Sequence, residues 1–231
     1  LETRAVLHLL LWVSDHAVEK IRKRALSGLE ALAKYDLDVF YGSDHQRGIG
    51  AYPQVQIVEV LESLDDRFLE SHQESVLRLL AGLLSPTMEG TRWSSEAMTL
   101  SQGAIPDEPA VADVRRRTID VLRRLYGLTG TKRGKLSVIN VLNAAARADA
   151  RGVVDDRTTA MMVRDTLEIL KFYRELILNE DLQIVQKIES NSYWIFVHAR
   201  SDEIKAAARG VEKALFERTE YSIYRILVGF E

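Results

Sequence analysis

Between Arg115 and Lys135 the chain carries eight cationic side chains: Arg115, Arg116, Arg117, Arg123, Arg124, Lys132, Arg133 and Lys135. A single carboxylate, Asp120, opposes them. Arg116 and Arg123 are seven residues apart, as are Arg117 and Arg124, so each pair shares one face of a helix. Such a stripe can neutralise phosphates or meet an acidic patch on a partner protein. It is equally the pattern of a solvated helix face balanced by acids on adjacent helices, such as Asp113 or Glu108. Base stacking asks for aromatic side chains among the cations, and only Tyr126 is close. Lys20, Arg22, Lys23 and Arg24 would be a smaller extension of the same chemistry.

Other reactive patterns are incomplete. Gly130-Thr131-Lys132-Arg133-Gly134-Lys135 approaches a phosphate-binding loop. That loop needs about four residues between its glycines, a hydroxyl after the lysine and a strand before it. Here three residues intervene, Leu136 takes the hydroxyl position and a helix precedes, so an interhelical turn is expected. Gly48-Ile49-Gly50 lacks the strand–helix setting of a dinucleotide site and reads as a turn. The histidines are His8, His16, His45, His72 and His198, and none pairs at three- or four-residue spacing as a helical zinc face requires. Asp15 beside His16 reads as a helix cap, and Asp44 beside His45 as solvated loop. Glu19 with Lys23, and Glu168 with Lys171 and Phe172, read as surface charge pairs and packing. No catalytic residue, metal site or cofactor is expected.

The chain has 231 residues, a net charge of −3, 46% apolar and 28% charged residues. That composition is ordinary for a globular protein and lacks the overall basic balance of many nucleic-acid binders. The absence of cysteine excludes disulfides and thiolate chemistry and leans toward the cytoplasm. No apolar run approaches the roughly 20 residues of a membrane span, so no membrane role is expected. Leu1 in place of Met, and an apolar stretch from Tyr221 to Phe230, lead to the expectation of a piece of a longer multidomain chain.

Helices must position these side chains. The only prolines are Pro53, Pro86, Pro106 and Pro109, and apolar residues recur at three- and four-residue spacing. Val18, Ile21, Ala25, Leu29 and Leu32 fall on one helical face, and Val114, Thr118, Val121, Leu122 and Leu125 on another. Further helices are expected near 55–64, 67–84, 135–149, 158–178, 181–199 and 202–218. Ser14-Asp15, Asp155-Asp156 and Ser201-Asp202-Glu203 carry the short oxygen-bearing side chains that start helices. Gly42, Gly127 and Gly152 suit helix ends. Ser192–Val197 and Tyr221–Val228 have some strand character, but helix is favoured for both. Gly42–Pro53 and Ser85–Pro109 are loops.

Ile21-Arg22-Lys23-Arg24-Ala25-Leu26, with Leu29 and Leu32, aligns without a gap on Val114-Arg115-Arg116-Arg117-Thr118-Ile119, with Leu122 and Leu125. The offset of 93 residues is close to twice the about 40–47 residues of a two- or three-helix repeat. A third echo begins at Val163-Arg164 and runs through Leu167 and Leu170. On these residues the chain resembles the HEAT/armadillo-like α-solenoids, whose units show an apolar–Arg pair, a small residue three on, and then leucines. Asp15 and Asp113 stand roughly where that family places an acid. The resemblance implies an all-α fold of stacked antiparallel helix pairs with one long loop at about 85–109. It further implies a single repeat domain over 1–231, with a sub-boundary near 85–110, and a concave surface for a partner. The expected role is a non-enzymatic scaffold or recognition module that binds a protein. The alternative is a nucleic-acid-binding module using Arg115, Arg116, Arg117, Arg123, Arg124, Lys132, Arg133 and Lys135. A third reading, enzymatic, would need His45 and the Ser85–Pro109 loop to meet.

Overall fold

The computed structural model describes residues 2–14, 18–40, 54–84, 108–151 and 156–218, and among these every regular element is helical. Ten α-helices are present: α1 (Glu2–Ser14), α2 (Glu19–Tyr35), α3 (Gln54–Ser63), α4 (Asp66–Ser71), α5 (Gln73–Leu84), α6 (Glu108–Leu128), α7 (Lys132–Arg151), α8 (Asp156–Ile177), α9 (Leu182–His198) and α10 (Asp202–Glu217). A short 3-10 turn covers Leu37–Phe40. No described helix is long and apolar enough to cross a membrane. The chain forms two compact units, Leu1–Thr129 and Gly130–Glu231.

In the first unit α1 packs on α2, α2 on α3, and α6 on α3, α4 and α5. The expected face of α6 is buried at Val114, Thr118, Val121, Leu122 and Leu125. On α2 the expectation holds from Ala25 onward, where Ala25, Leu29 and Leu32 are buried. It fails at the start, since Val18 and Ile21 are exposed, Ile21 at 36% against 2% for its sequence equivalent Val114. The aligned pairs therefore agree in burial at 25/118, 29/122 and 32/125 and part at 21/114, 22/115 and 26/119. Helix α2 approaches α1 closely at Gly28, where an added Cβ would lie 2.8 Å from Leu10 Cδ2.

In the second unit α8 packs on α7 and α10, and α9 on α7 and α10, while α8 and α9 touch more slightly. Its core holds Val138, Ile139, Leu142, Ile169, Leu170, Tyr173, Ile184, Val185, Ile188, Ile204, Ala208 and Val211. The third sequence echo is out of phase with this core. Val163 and Leu167 are only half-buried, whereas Asp165, Thr166, Ile169 and Leu170 are buried. A polar seam crosses the unit. The Tyr173 hydroxyl donates to Asn143 Oδ1, and one turn along α7 Arg147 Nε donates to Asn191 Oδ1 at 2.9 Å. Burial holds the Tyr173 phenol well above its usual range, opposed by the nearby Arg147 charge, so it stays a neutral donor.

Local chemistry sets the helix limits. Asp65, Asp181 and Ser201 cap α4, α9 and α10 by accepting from the amides of Phe68, Gln183 and Ile204. Ser201 takes the role its sequence context predicts; of the expected Ser14-Asp15 start, Asp15 lies outside the described residues and Ser14 does not cap α2. It ends α1, its hydroxyl donating to the Leu11 carbonyl at 2.7 Å, and Val18 starts α2 without a side-chain cap. The span 67–84 is two helices rather than one. Beside the ordinary helical bond from the His72 amide, the carbonyl of Phe68 meets the Ser71 hydroxyl and His72 Nδ1, side-chain contacts of the kind that compete with continued helix. Gly127 does not end α6, which runs to Leu128. Thr129 ends it, its amide and hydroxyl both donating to the Leu125 carbonyl. Ser192–Val197 lies within α9, while Gly42, Asp155, Gly152 and Tyr221–Val228 lie outside the described residues.

The close approach at Gly28 gives a stability test. Gly28→Val should destabilise the first unit by about 1–3 kcal/mol, because branched carbons must displace Leu10. Urea denaturation followed by circular dichroism should show a lower midpoint at unchanged slope.

Candidate functional site

The last carbonyls of an α-helix have no partner in their own helix. The arginines of α6 meet such groups within the first unit. Arg124 donates from Nη1 to the Glu62 carbonyl at 2.9 Å and from Nη2 to the Leu64 carbonyl at 2.8 Å, closing the C-terminal end of α3. Its Nε also reaches Asp66 Oδ1 at 2.8 Å, on the first turn of α4. Arg115 is only 2% exposed and donates from Nη1 to the carbonyl of Leu84, the last residue of α5, at 2.7 Å. Arg117 grips the carboxylate of Glu62 with Nε and Nη2, the former at 2.9 Å. Arg123 lies 3.8 Å from Asp120. Arg116 is the exposed member, bonded to Asp113 Oδ1 at 2.5 Å and 3.8 Å from Asp120. That hydrogen bond holds the Asp113 carboxyl below its usual range. Asp113 is thus one of the acids expected to balance the stripe.

The remaining three cations belong to the second unit. Lys135 Nζ meets Glu180 at 2.7 Å, and Lys132 Nζ meets Asp181 at 3.0 Å. Arg218 reaches the same corner, donating from Nη1 to the carbonyls of Ile177 at 2.8 Å and Glu180 at 2.7 Å. Arg133 is exposed. The glycine-flanked segment carrying these lysines is an interhelical turn, in which Thr131 Oγ1 accepts from the Gly134 amide at 3.1 Å.

The described histidines finish helices. His72 stacks on Phe68 with ring centres 4.1 Å apart, and His198 stacks on Trp194 at the same distance, its Nδ1 2.8 Å from the Trp194 carbonyl. Glu19 and Lys23 form the expected surface pair at 2.7 Å. His16, His45, Gly48–Gly50 and 85–107 fall outside the described residues, as do the side chains of His8 and Glu108.

A second surface, on α9 and α10, carries none of the candidate site residues singled out by sequence pattern. Helices α9 and α10 are joined by only residues 199–201, so they form an antiparallel hairpin. A groove of about 430 Å³ runs along it, lined by Glu189, Ser190 and Tyr193 of α9 and Glu212, Leu215 and Phe216 of α10. Tyr193 is 59% exposed, Phe216 56%, and Val197, one turn beyond Tyr193, 51%. The signal was present in Tyr193-Trp194-Ile195-Phe196-Val197. Five consecutive large apolar residues in a helix point in all directions, and a helix packed on one side buries only part of them. Ile195 is the one placed in the core.

Two outcomes follow from the cation geometry. Arg124→Ala should cost about 1–3 kcal/mol by stranding carbonyls at the end of α3, whereas Arg116→Ala should stay within about 0.5 kcal/mol, both read by urea denaturation. The carboxyl of Asp181 is held below its ordinary value, first by the Gln183 amide and then by Lys132. A lowered folded value stabilises above the unfolded pKa, about 3.9, and that contribution is lost as pH falls through the folded one. Asp181→Ala should therefore be less stable than the parent at pH 6, with the gap closing in acid below that range. A gap that widens on acidification would contradict this.

Comparison of the chain with protein-family models, with curated proteins and with solved structures returns no match.

Proposed function

We propose that the chain is a non-enzymatic helical recognition module of the HEAT/armadillo-like kind, binding another protein in the cytoplasm. Support for stacked pairs comes from the second unit. There α7 lies on α9 and α8 on α10, the pattern that two helical hairpins give when piled like on like. The observation that carries the binding reading is the exposed pair Tyr193 and Phe216 lining one groove, with exposed Val197 one turn beyond Tyr193. Large aromatic side chains at a partly formed groove are the residue types that dominate protein–protein contacts.

The nucleic-acid alternative draws less support. Arg115, Arg117, Arg124, Lys132 and Lys135 are already engaged by carbonyls or carboxylates within their own units, so turning them to phosphates would unmake those contacts. Affinity capture with the tagged chain from its producing cells, beside a Tyr193→Ser/Phe216→Ser variant, tests the choice. The expected result is a protein retained by the parent and lost by the variant. Retention of the same proteins by both, or nuclease-sensitive capture lost instead on Arg116→Glu/Arg133→Glu, would overturn the reading.

A further inference from the structure

Arg147 of α7 stands apart from the arginines that close helix ends. It donates through Nε to Asn191 Oδ1 at 2.9 Å, and its guanidinium carbon lies 5.0 Å from the centre of the Trp194 ring. Helix α9 thus holds one edge and one face of the planar group. The other edge, Nη1 and Nη2, has no acceptor and no carboxylate partner among the described residues. Arg115, Arg117, Arg124 and Arg218 all place Nη donors on carbonyls or carboxylates.

The neighbours of Arg147 supply no counter-charge. Asn143, one turn earlier on α7, is 5% exposed, and Asn191 is 1% exposed. Asn143 Oδ1 accepts from Tyr173 and Asn191 Oδ1 from Arg147, while the Nδ2 groups of both are buried without a partner. What these side chains have left over is amide N–H, the positive end of each dipole. The cation is close enough to oppose the upward shift of the Tyr173 phenol. Lys187, one turn before Asn191 on α9, is a further exposed cation. Asp165, the buried acid of α8, lies 3.9 Å from Arg164 and forms no ion pair with Arg147. A half-buried charge is costly without a counter-charge, and here its surroundings offer donors alone. One fixed guanidinium fork matches a carboxylate, whose two oxygens accept two parallel N–H bonds. A phosphate would leave its further oxygens to solvent. Asn191 and Tyr193 are two residues apart and so face opposite sides of α9, which separates this place from the α9–α10 groove.

We propose that Arg147, positioned by Asn191 and Trp194, binds the carboxylate of a ligand, either a free acid or a side chain of a partner protein.

The test uses the full chain labelled with heavy nitrogen and follows the Arg147 Nε–H and Trp194 indole N–H resonances. The probes are acetate, a blocked Gly-Glu-Gly peptide, its Gly-Gln-Gly twin and inorganic phosphate, all at one ionic strength. Acetate and the glutamate peptide should each move both resonances saturably, and the glutamine twin should not. Tighter binding of the peptide than of acetate assigns the carboxylate to a partner's side chain, and the reverse assigns it to a free acid. Arg147→Lys keeps the charge and loses the fork, so both probes should bind about tenfold more weakly, read at Trp194. Asn191→Asp puts a carboxylate beside the guanidinium and should abolish the response to both. Arg133→Gln, at an exposed cation elsewhere on α7, should leave it unchanged. Circular dichroism should confirm parental helicity for each variant, and the glutamate–glutamine comparison on the parent chain decides alone if a variant unfolds. No saturable shift, an equal shift with the glutamine twin or with chloride (an adventitious ion only), tighter binding of phosphate than of either carboxylate, or full binding by Arg147→Lys would each overturn the proposal.

Discussion

Cations reaching the stranded carbonyls of helix ends organise both units. In the first, Arg124 closes α3 and Arg115 closes α5, both from the single helix α6. In the second, Arg218 closes α8, and Lys135 and Lys132 hold the acids of the same corner. Each arginine–carbonyl contact joins a donor of fixed charge to the negative end of a helix dipole, at a place where water would otherwise have to serve. The guanidinium suits this because one planar group can serve two carbonyls and a carboxylate at once, as Arg124 does.

That constraint changes the meaning of a basic stripe. A run of arginines suggests a surface for anions until the carbonyls within reach are known. Here α6 turns Arg115 inward, gives Arg117 to Glu62 and leaves Arg116 among Asp113 and Asp120. In the second unit exposed apolar side chains, Leu178, Tyr193, Val197 and Phe216, share the surface with cations such as Arg133, Arg164 and Arg209. The interior of that unit carries the polar seam of Asn143, Arg147, Tyr173 and Asn191.

The helices were legible in the sequence because long segments repeat their apolar residues at helical spacing, and α6 shows this at Val114, Thr118, Val121, Leu122 and Leu125. Ser201 was legible as a cap because capping is local, its partner lying three residues away. The contacts of Arg115, Arg117 and Arg124 were not, since their partners are 31 to 62 residues distant in the chain. Ile21 misled because its type and spacing match Val114, yet burial depends on what a neighbouring helix covers. The groove was hidden for the same reason: the run Tyr193–Val197 announces excess apolar surface, but which members face outward is decided by the packing of α7 and α10 against α9.

Arg218 follows α10 directly, and its guanidinium ties the end of that helix to the corner after α8. Phe216 stands two residues before the tie. The tie restrains the backbone that carries this aromatic ring, so the conformational entropy of the last turn of α10 is surrendered when the unit folds.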